Sequence, residues 1–294
     1  AYNYNKPVEG ELFDQLSRKI YQEVSDELGW MYFTKHTDGR LGKINFTLWS
    51  DVFSCPECST EVEFWKDSVD SFKGSVKDKF NCKGCGKELN KRSLERVWVN
   101  VFDPLIQKTV KFAKEVPSLI NYSIDGKRFE KEPDKQDKET IRKVEETNLE
   151  SHVPIVELPD GYNLRQPKNS HGITHVHHFY TKRNLLVLSA FWSKILKYSQ
   201  HCSHLKLWFT SSHAWGTRLN RLLTSNYFKK RGGVIGQTLQ GTLYISSLSI
   251  ETNLIERFLL RVKSSPFTSH YSNAVIETSS MSQQSIKESS LDYI

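Results

Sequence analysis

The 294-residue chain lacks the features that would assign it at once to several classes of protein. No apolar run approaches the ~20 residues of a membrane-spanning helix, and no secretory signal is present. We therefore expect a soluble cytoplasmic protein with no membrane partner. The motif Gly-x-Ser-x-Gly, the Walker loop and Gly-x-Gly-x-x-Gly are also absent. Hydrolase and nucleotide-binding functions thus have no support within the chain.

Acidic residues are missing from one long segment. Between Asp160 and Glu251, 90 residues contain no Asp or Glu but twelve Lys or Arg and seven His. The whole chain has a net charge of +7, so the other 204 residues carry −5. A concentrated basic region attracts polyanions, which predicts contact with double-stranded DNA or another nucleic acid. A solvated basic face without a ligand is the alternative.

What the chain does contain is enough apolar material for a folded core. Hydrophobic residues make up 37% and aromatic residues 12% of the sequence. At this length they can build one large domain or two ordinary ones. Because the chain starts at Ala1 and its last residues, Leu291-Asp-Tyr-Ile294, resemble the beginning of a buried strand, we expect it to be a piece of a longer protein.

Four of the five cysteines form two pairs, Cys55-Pro-Glu-Cys58 and Cys82-Lys-Gly-Cys85. Each pair can turn tightly enough for both sulfurs to reach one metal ion, and the 23 residues between the pairs allow a short hairpin. This pattern predicts a zinc ribbon holding a structural zinc. Two disulfides, a redox pair and an iron site with the same ligands are the alternatives. Cys202 is predicted to be an ordinary buried thiol.

Four histidines also cluster in sequence: His171, His175, His177 and His178. On a strand, His175 and His177 would lie on one face. The sequence shows no nearby carboxylate and no helical His-x-x-x-His pair, so a catalytic metal is disfavoured. We expect polar or DNA-proximal histidines.

Apolar periodicity predicts the elements of the first half. An amphipathic helix runs through residues 12–28 and stops at Gly29. Residues 31–35 and 44–49 are predicted to form a hairpin that leads into the ribbon, and residues 97–102 a strand. Residues 127–147 contain seven basic and seven acidic side chains, typical of an exposed, partly helical connector.

In the acid-free half we predict alternating strands and helices. Strands are expected at 174–180, 205–210 and within 241–251, with helices after Thr181, around 215–223 and through Phe258. This alternation favours an α/β fold, here a mixed α+β fragment. The run Tyr227-Phe-Lys-Lys-Arg-Gly-Gly233 places aromatics beside a basic, flexible turn and is the best predicted DNA-contact loop.

Several short motifs, in order, resemble a known family. They are Ala1-Tyr-Asn-Tyr-Asn-Lys-Pro-Val, Gly29-Trp-Met-Tyr-Phe-Thr34, Trp49-Ser-Asp-Val-Phe-Ser-Cys55-Pro-Glu-Cys58, His178-Phe-Tyr-Thr-Lys-Arg-Asn184-Leu, Gly241-Thr-Leu-Tyr244 and Ser290-Leu-Asp-Tyr-Ile294. Together they resemble the prokaryotic site-specific DNA methyltransferases that modify adenine N6 or cytosine N4 and carry an internal zinc ribbon. The resemblance covers almost the whole chain.

The resemblance implies S-adenosylmethionine as cofactor of the intact enzyme and direct methyl transfer to a flipped base, without a covalent enzyme intermediate. In that family the cofactor loop would precede this chain, and the Asp-Pro-Pro-aromatic tetrapeptide would follow residues 291–294. The chain therefore holds no catalytic residue and is expected to be inactive alone. Residues 273–278 resemble the strand before the catalytic one, so Ser279, Ser280 and Asp292 would border the cofactor or target pocket.

The predicted organisation has five segments: a helix and hairpin packing on the methyltransferase core (1–49), the zinc ribbon (50–93), a connector with a charged helix (94–160), the basic DNA-recognition region (161–250) and the edge of a partial methyltransferase-like sheet (251–294). The predicted DNA contacts are Lys182, Arg183, Asn184, Arg218, Arg221, Tyr227, Lys229, Lys230 and Arg231. The favoured function is the central part of a site-specific DNA methyltransferase of a restriction-modification or related system, with adenine N6 favoured over cytosine N4. A non-catalytic zinc-ribbon nucleic-acid-binding protein is the alternative.

Overall fold

One long strand organises the fold seen in the computed structural model, which describes residues 10–149, 153–229 and 235–264. This strand is β2, and the strands in chain order are β1 (Phe33–Lys35), β2 (Leu41–Ser54), β3 (Glu61–Glu63), β4 (Val69–Asp70), β5 (Ser75–Val76), β6 (Phe80–Asn81), β7 (Glu88–Leu89), β8 (Glu95–Arg96), β9 (Trp98–Asp103), β10 (Lys108–Ala113), β11 (Glu115–Ile124), β12 (Lys127–Lys131), β13 (Arg221–Leu222), β14 (Gly236–Gln237) and β15 (Leu248–Thr252).

The described residues form a curled nine-stranded sheet with the central order β12-β11-β2-β15-β13-β14. Strand β2 pairs with β1, β11 and β15 along the sheet, and its far end pairs with β3 and β8. All these pairs are antiparallel. Because β2 ends at Ser54, next to Cys55, the same strand crosses the predicted boundary at residue 49 and roots the cysteine-rich segment in the sheet.

The helices are α1 (Gly10–Leu28), α2 (Phe64–Ser68), α3 (Lys135–Glu146), α4 (Tyr162–His171), α5 (Lys182–Tyr198), α6 (His204–Ser212), α7 (Thr224–Lys229) and α8 (Leu254–Ser264), with 3₁₀ turns at Gly29–Tyr32, Val176–Phe179 and His213–Gly216. Among the described helices, none combines the length and apolar character that a membrane span requires.

Helices α1, α5, α6 and α8 pack together around an aromatic centre. The rings of Phe191 and Phe258 stack with centroids 3.9 Å apart, and Trp208 meets both edge-on. The buried indole of Trp208 donates to the Phe258 carbonyl oxygen at 3.0 Å, so its polar atom is satisfied. This core joins residues from the first, third, fourth and fifth predicted segments.

The mixed helix and strand class predicted from the sequence is confirmed. The helix of residues 12–28, the first hairpin, the strand near residue 98, the partly helical connector and the helix through Phe258 are also present. Thr181 caps α5 as expected, since its Oγ1 accepts from the Asn184 amide at 3.3 Å. Cys202 is buried. The predicted strand 273–278 lies outside the described residues.

Three predicted elements are wrong. Residues 205–210 lie in α6, where Leu205 and Trp208 share the buried face and Trp208 packs against Phe191 and Phe258. Residues 176–179 form a 3₁₀ turn in place of a strand, and the His178 ring accepts from the backbone amides of Thr174 and His175 to close it. The helix predicted at 215–223 is a 3₁₀ turn followed by β13.

Candidate functional site

The four paired cysteines lie in two equivalent turns. In the first, the Cys55 carbonyl oxygen accepts from the Ser59 amide at 2.9 Å; in the second, the Cys82 carbonyl oxygen accepts from the Gly86 amide at 2.9 Å. Both Ser59 and Gly86 have positive φ, of 58° and 75°. Glycine adopts this conformation without strain, so the second turn uses the residue type that the backbone favours.

The sulfur positions match a tetrahedral metal site. Cys55 Sγ lies 3.8 Å from Cys85 Sγ, and Cys58 Sγ lies 3.6 Å from Cys82 Sγ. All four sulfurs lie within 4.8 Å of one another. A zinc ion with four sulfurs at ~2.3 Å would place neighbouring sulfurs about 3.8 Å apart. A disulfide would require about 2.05 Å, and all four cysteines are free, so the disulfide alternative is excluded for this structure.

The surroundings of the sulfurs also suit thiolate ligands. The Thr60 hydroxyl lies 3.2 Å from Cys58 Sγ, and the hydroxyl and amide of Thr60 together lower the pKa of Cys58 to about 6. The Lys87 amide favours the Cys85 thiolate, but the neighbouring sulfurs outweigh it and raise the pKa of Cys85 to about 12, so Cys58 is the thiol that ionises first. A side chain at Gly84 would collide with Thr60, which explains a glycine between the second pair. The chain therefore places four sulfurs, at least one of them readily ionised, close enough to bind a metal.

The cysteine-rich segment packs on the segment that carries the predicted DNA-contact loop. Trp65, in α2, stacks on Phe228 with ring centroids 5.8 Å apart and an angle of 8° between planes, and it meets Tyr227 edge-on. The Tyr227 hydroxyl donates to Glu130 at 2.9 Å. Both aromatics of the predicted loop are thus occupied by contacts within the protein.

A second group of polar residues is buried around Glu251. The Glu251 carboxylate accepts from Arg183 at 2.8 Å, from the Thr181 hydroxyl at 2.5 Å and from the Trp49 indole at 3.1 Å. Next to it, the Tyr32 hydroxyl donates to the Asn184 side chain at 2.9 Å. Burial raises the pKa of Tyr32, which keeps this phenol protonated and able to donate.

Two further carboxylates lie near this network. The Asp51 carboxylate is contacted by Arg96 at 2.8 Å and by His171 at 3.4 Å, and Glu115 pairs with Arg218. Burial disfavours the ionised form of Asp51, but His171 and Arg96 outweigh it and lower the pKa of the carboxyl. Asp51, Glu115 and His171 are close enough to share a cation. Arg96 and Arg218 already neutralise the two carboxylates, so a metal ion is not required there.

Asp103 supplies the carboxylate that the sequence did not show beside the histidine cluster. Its Oδ2 lies 2.7 Å from His177 Nε2 and 2.9 Å from His178 Nε2. A metal bound at His178 Nε2 would leave the ring proton on Nδ1. His178 Nδ1 instead faces the amides of Thr174 and His175, at 3.2 and 3.3 Å, and must accept from them. The proton therefore sits on Nε2, and a hydrogen-bonded Asp103 is favoured over a metal site.

The predicted DNA contacts fall into different environments. Arg183 and Asn184 are buried within the Glu251 network, and Arg218 is paired with Glu115. Lys182 and Arg221 are half-buried, and burial lowers the pKa of Lys182. Lys229 is exposed at the end of α7. Lys230, Arg231, Ser279, Ser280 and Asp292 lie outside the described residues.

These contacts explain part of the charge asymmetry of the chain. Arg183 and Arg218 belong to the acid-free segment, yet their partners Glu251 and Glu115 lie outside it. Part of the positive charge is therefore internal, and the exposed share is smaller than the sequence count indicates. The interior partners could not be identified from spacing, because they are 68 and 103 residues away.

Comparison of the chain with protein-family models, with curated proteins and with solved structures gives no match.

Proposed function

We propose that this chain is the central part of a site-specific DNA methyltransferase that uses S-adenosylmethionine and modifies an exocyclic amino group of a flipped base, with adenine favoured over cytosine. The proposal originates in the ordered motifs that resemble this family. A single structural observation supports it: three of these motifs meet around Glu251. Trp49, Arg183 and Thr181 contact the carboxylate directly, and Tyr32 binds the adjacent Asn184.

A buried network of this kind fits the centre of a larger enzyme. The carboxylate and guanidinium are satisfied inside the protein, so they can fix the relative positions of β2, β15 and α5. Under this proposal the network is a scaffold, and the transfer of the methyl group occurs on residues that flank the chain. The methyl group would pass from the cofactor sulfonium to the exocyclic nitrogen, which loses a proton.

We further propose that the metal at the four cysteines is a structural zinc. Four protein sulfurs complete a tetrahedron and leave no position for a substrate or an activated water. The ion would supply folding energy to the segment between residues 50 and 93 rather than chemistry. Zinc and iron share this ligand geometry, and elemental analysis of the purified protein distinguishes them.

Burial reduces the set of side chains that can contact DNA. Arg183, Asn184 and Arg218 are committed to internal partners, so we do not include their side chains. Lys229 is exposed, and with Lys230 and Arg231 it forms a run of three cations after an anchored aromatic pair. Phosphate contacts from such a run would hold the duplex by a salt-dependent attraction.

The test is methyl transfer by the intact protein with its flanking sequence. Purified protein is incubated with tritium-labelled S-adenosylmethionine and unmethylated genomic DNA, and labelled DNA is counted and its modified bases are identified by mass spectrometry. We expect labelled N6-methyladenine. Absence of both cofactor binding and transfer would refute the methyltransferase proposal.

A non-catalytic zinc-ribbon nucleic-acid-binding protein is the second candidate. The specific observation in its favour is that the four-cysteine centre lies beside exposed cations, among them Lys83 and Lys87. Such a surface accounts for the binding of nucleic acid but not for a reaction. Salt-dependent DNA binding without methyl transfer by the intact protein would select this candidate.

A further inference from the structure

The most exposed large apolar side chain of the described residues is Phe72, at 99% exposure. It lies at the tip of the hairpin formed by β4 and β5, between the two cysteine pairs. Single exposed apolar residues are common on protein surfaces and need no explanation by themselves. Phe72 differs from such residues in three respects: it lies on a well-defined turn, its hairpin is anchored to the rest of the protein, and cations surround it.

The turn that carries Phe72 is held by its own hydrogen bonds. The Asp70 side chain accepts from the amides of Phe72 and Lys73, both at 3.0 Å. The Gly74 amide donates to the Asp70 carbonyl oxygen at 2.8 Å, and Gly74 has a φ of 66°. The ring of Phe72 is thus presented outward by a defined turn.

The hairpin is also anchored to the body of the protein. A Cβ at Gly74 would lie 2.8 Å from the Cβ of Phe228, so the two backbones approach closely. Phe228 in turn stacks on Trp65. This contact places the hairpin beside α7, which ends at the exposed Lys229.

Cations dominate the surface that continues from the tip. Residues 73–92 contain seven Lys or Arg and only Asp78 and Glu88 as acids. Lys79, Lys83 and Lys87 form ion pairs. The remaining four cations have no ion pair with a carboxylate of the described chain; they are Lys73, Lys77, Lys91 and Arg92. Three of these four line a groove of about 450 Å³, whose other lining residues are Val76, Asp78, Lys79 and Asn90.

We infer that this hairpin is a DNA-contacting element in which Phe72 stacks on an unpaired or displaced base and Lys73, Lys77 and Arg92 hold the phosphates around it. Lys91 is not included, because its Nζ lies 4.7 Å from the centre of the Phe64 ring and burial lowers its pKa. The inference rests on the DNA-binding part of the proposed function and names a surface outside the acid-free segment. Aromatic stacking tolerates any base, because every base has a π-face, so Phe72 contributes affinity rather than sequence choice.

The test compares Phe72→Ala with Phe102→Ala in the zinc-loaded full chain. Phe102 is a matched control, because it is an exposed phenylalanine (57%) on β9. The probe is a fluorescein-labelled 30-base-pair duplex of mixed sequence with a short unpaired stretch at its centre, so that Phe72 can reach exposed base faces. Kd is measured by anisotropy at several salt concentrations. Phe72→Ala is expected to raise Kd by about 5- to 150-fold with an unchanged salt slope. Phe102→Ala is expected to leave Kd unchanged.

A charge variant tests the second half of the inference. Replacing Lys73 and Lys77 with alanine should reduce the slope of log K against log salt by up to about 1.8, since each lost phosphate contact removes about 0.9. Equal Kd values for Phe72→Ala, Phe102→Ala and wild type would overturn the inference and leave a protein partner for Phe72 as the surviving explanation. Failure of the wild-type chain to bind the duplex would also overturn it.

These outcomes are separable from those of the proposed function. If Phe72→Ala loses affinity and the intact protein shows neither cofactor binding nor methyl transfer, the methyltransferase alone is refuted. Methyl transfer by the intact protein together with an unaffected Phe72→Ala refutes the hairpin alone.

Discussion

Replacement of Glu251 with glutamine tests whether the buried network holds the fold together. Glutamine has nearly the same shape, so the change removes a charge without creating a cavity. It leaves the Arg183 guanidinium, 4% exposed, without a counter-charge, and it puts an NH₂ group where one carboxylate oxygen accepts a hydrogen bond. Breaking one partner of a buried ion pair costs about 3–5 kcal/mol.

This loss is large compared with the stability of a folded domain, about 5–15 kcal/mol. The free energy of unfolding is measured in urea by circular dichroism and by tryptophan fluorescence. The double variant Glu251→Gln with Arg183→Met should lose less than the sum of the two single variants, by about 0.5–3 kcal/mol, because it removes both charges.

Arg142 provides the control for this experiment. It forms ion pairs with Glu139 and Glu146 on the exposed face of α3, where solvent screens the charges, so Arg142→Ala should leave the free energy of unfolding close to that of the wild type. If Glu251→Gln destabilised the protein as little as Arg142→Ala, the buried network around Glu251 would not be what holds β2, β15 and α5 together.

Three further predictions concern metal, pH and DNA. Cys82→Ser should lose the bound zinc and expose residues 50–93 to proteolysis, whereas Cys202→Ser keeps the metal; a full zinc equivalent in Cys82→Ser by elemental analysis would contradict the site. Burial lowers the pKa of His178 from 6.5 to about 4, so the folded state binds fewer protons than the unfolded chain between these values, and the free energy of unfolding should fall as pH drops from 6.5 to 4. His178→Gln should flatten this dependence in urea titrations at several pH values, and an unchanged slope would assign it to other groups. Alanine at residues 229–231 should weaken duplex binding and lower its salt slope, while alanine at three exposed lysines of α3 should not; equal effects would mean that only net charge matters.

The hydrogen bonds of Asp103 explain why acid should act on this part of the fold. Burial favours the neutral carboxyl, but hydrogen bonds from His177 and His178 outweigh it and lower the pKa of Asp103 to about 2. The carboxylate stays ionised over the range in which His178 titrates. Protonation of the buried His178 ring would put a donor at Nδ1, where the backbone amides of Thr174 and His175 already point inward.

The local elements could be predicted where the signal lies within a few residues. The apolar spacing of α1 and the stop at Gly29, the Thr181 cap and the paired cysteines all depend on neighbours in sequence. Short apolar runs were less informative. Residues 205–210 satisfy both a strand and a helix of this length, and only the packing of Trp208 against Phe191 and Phe258 selects the helix.

The amino-acid sequence alone determined that four sulfurs could meet at one metal, because the spacing within each pair fixes the turn and the intervening hairpin closes the gap. Only the tertiary structure decided which charges face solvent. Arg183 and Arg218 resemble DNA contacts in a segment without acids, but the fold brings Glu251 and Glu115 to them from distant strands. A charge is costly to bury without a partner of opposite sign. Which residue becomes that partner depends on the packing of the fold rather than on distance along the sequence.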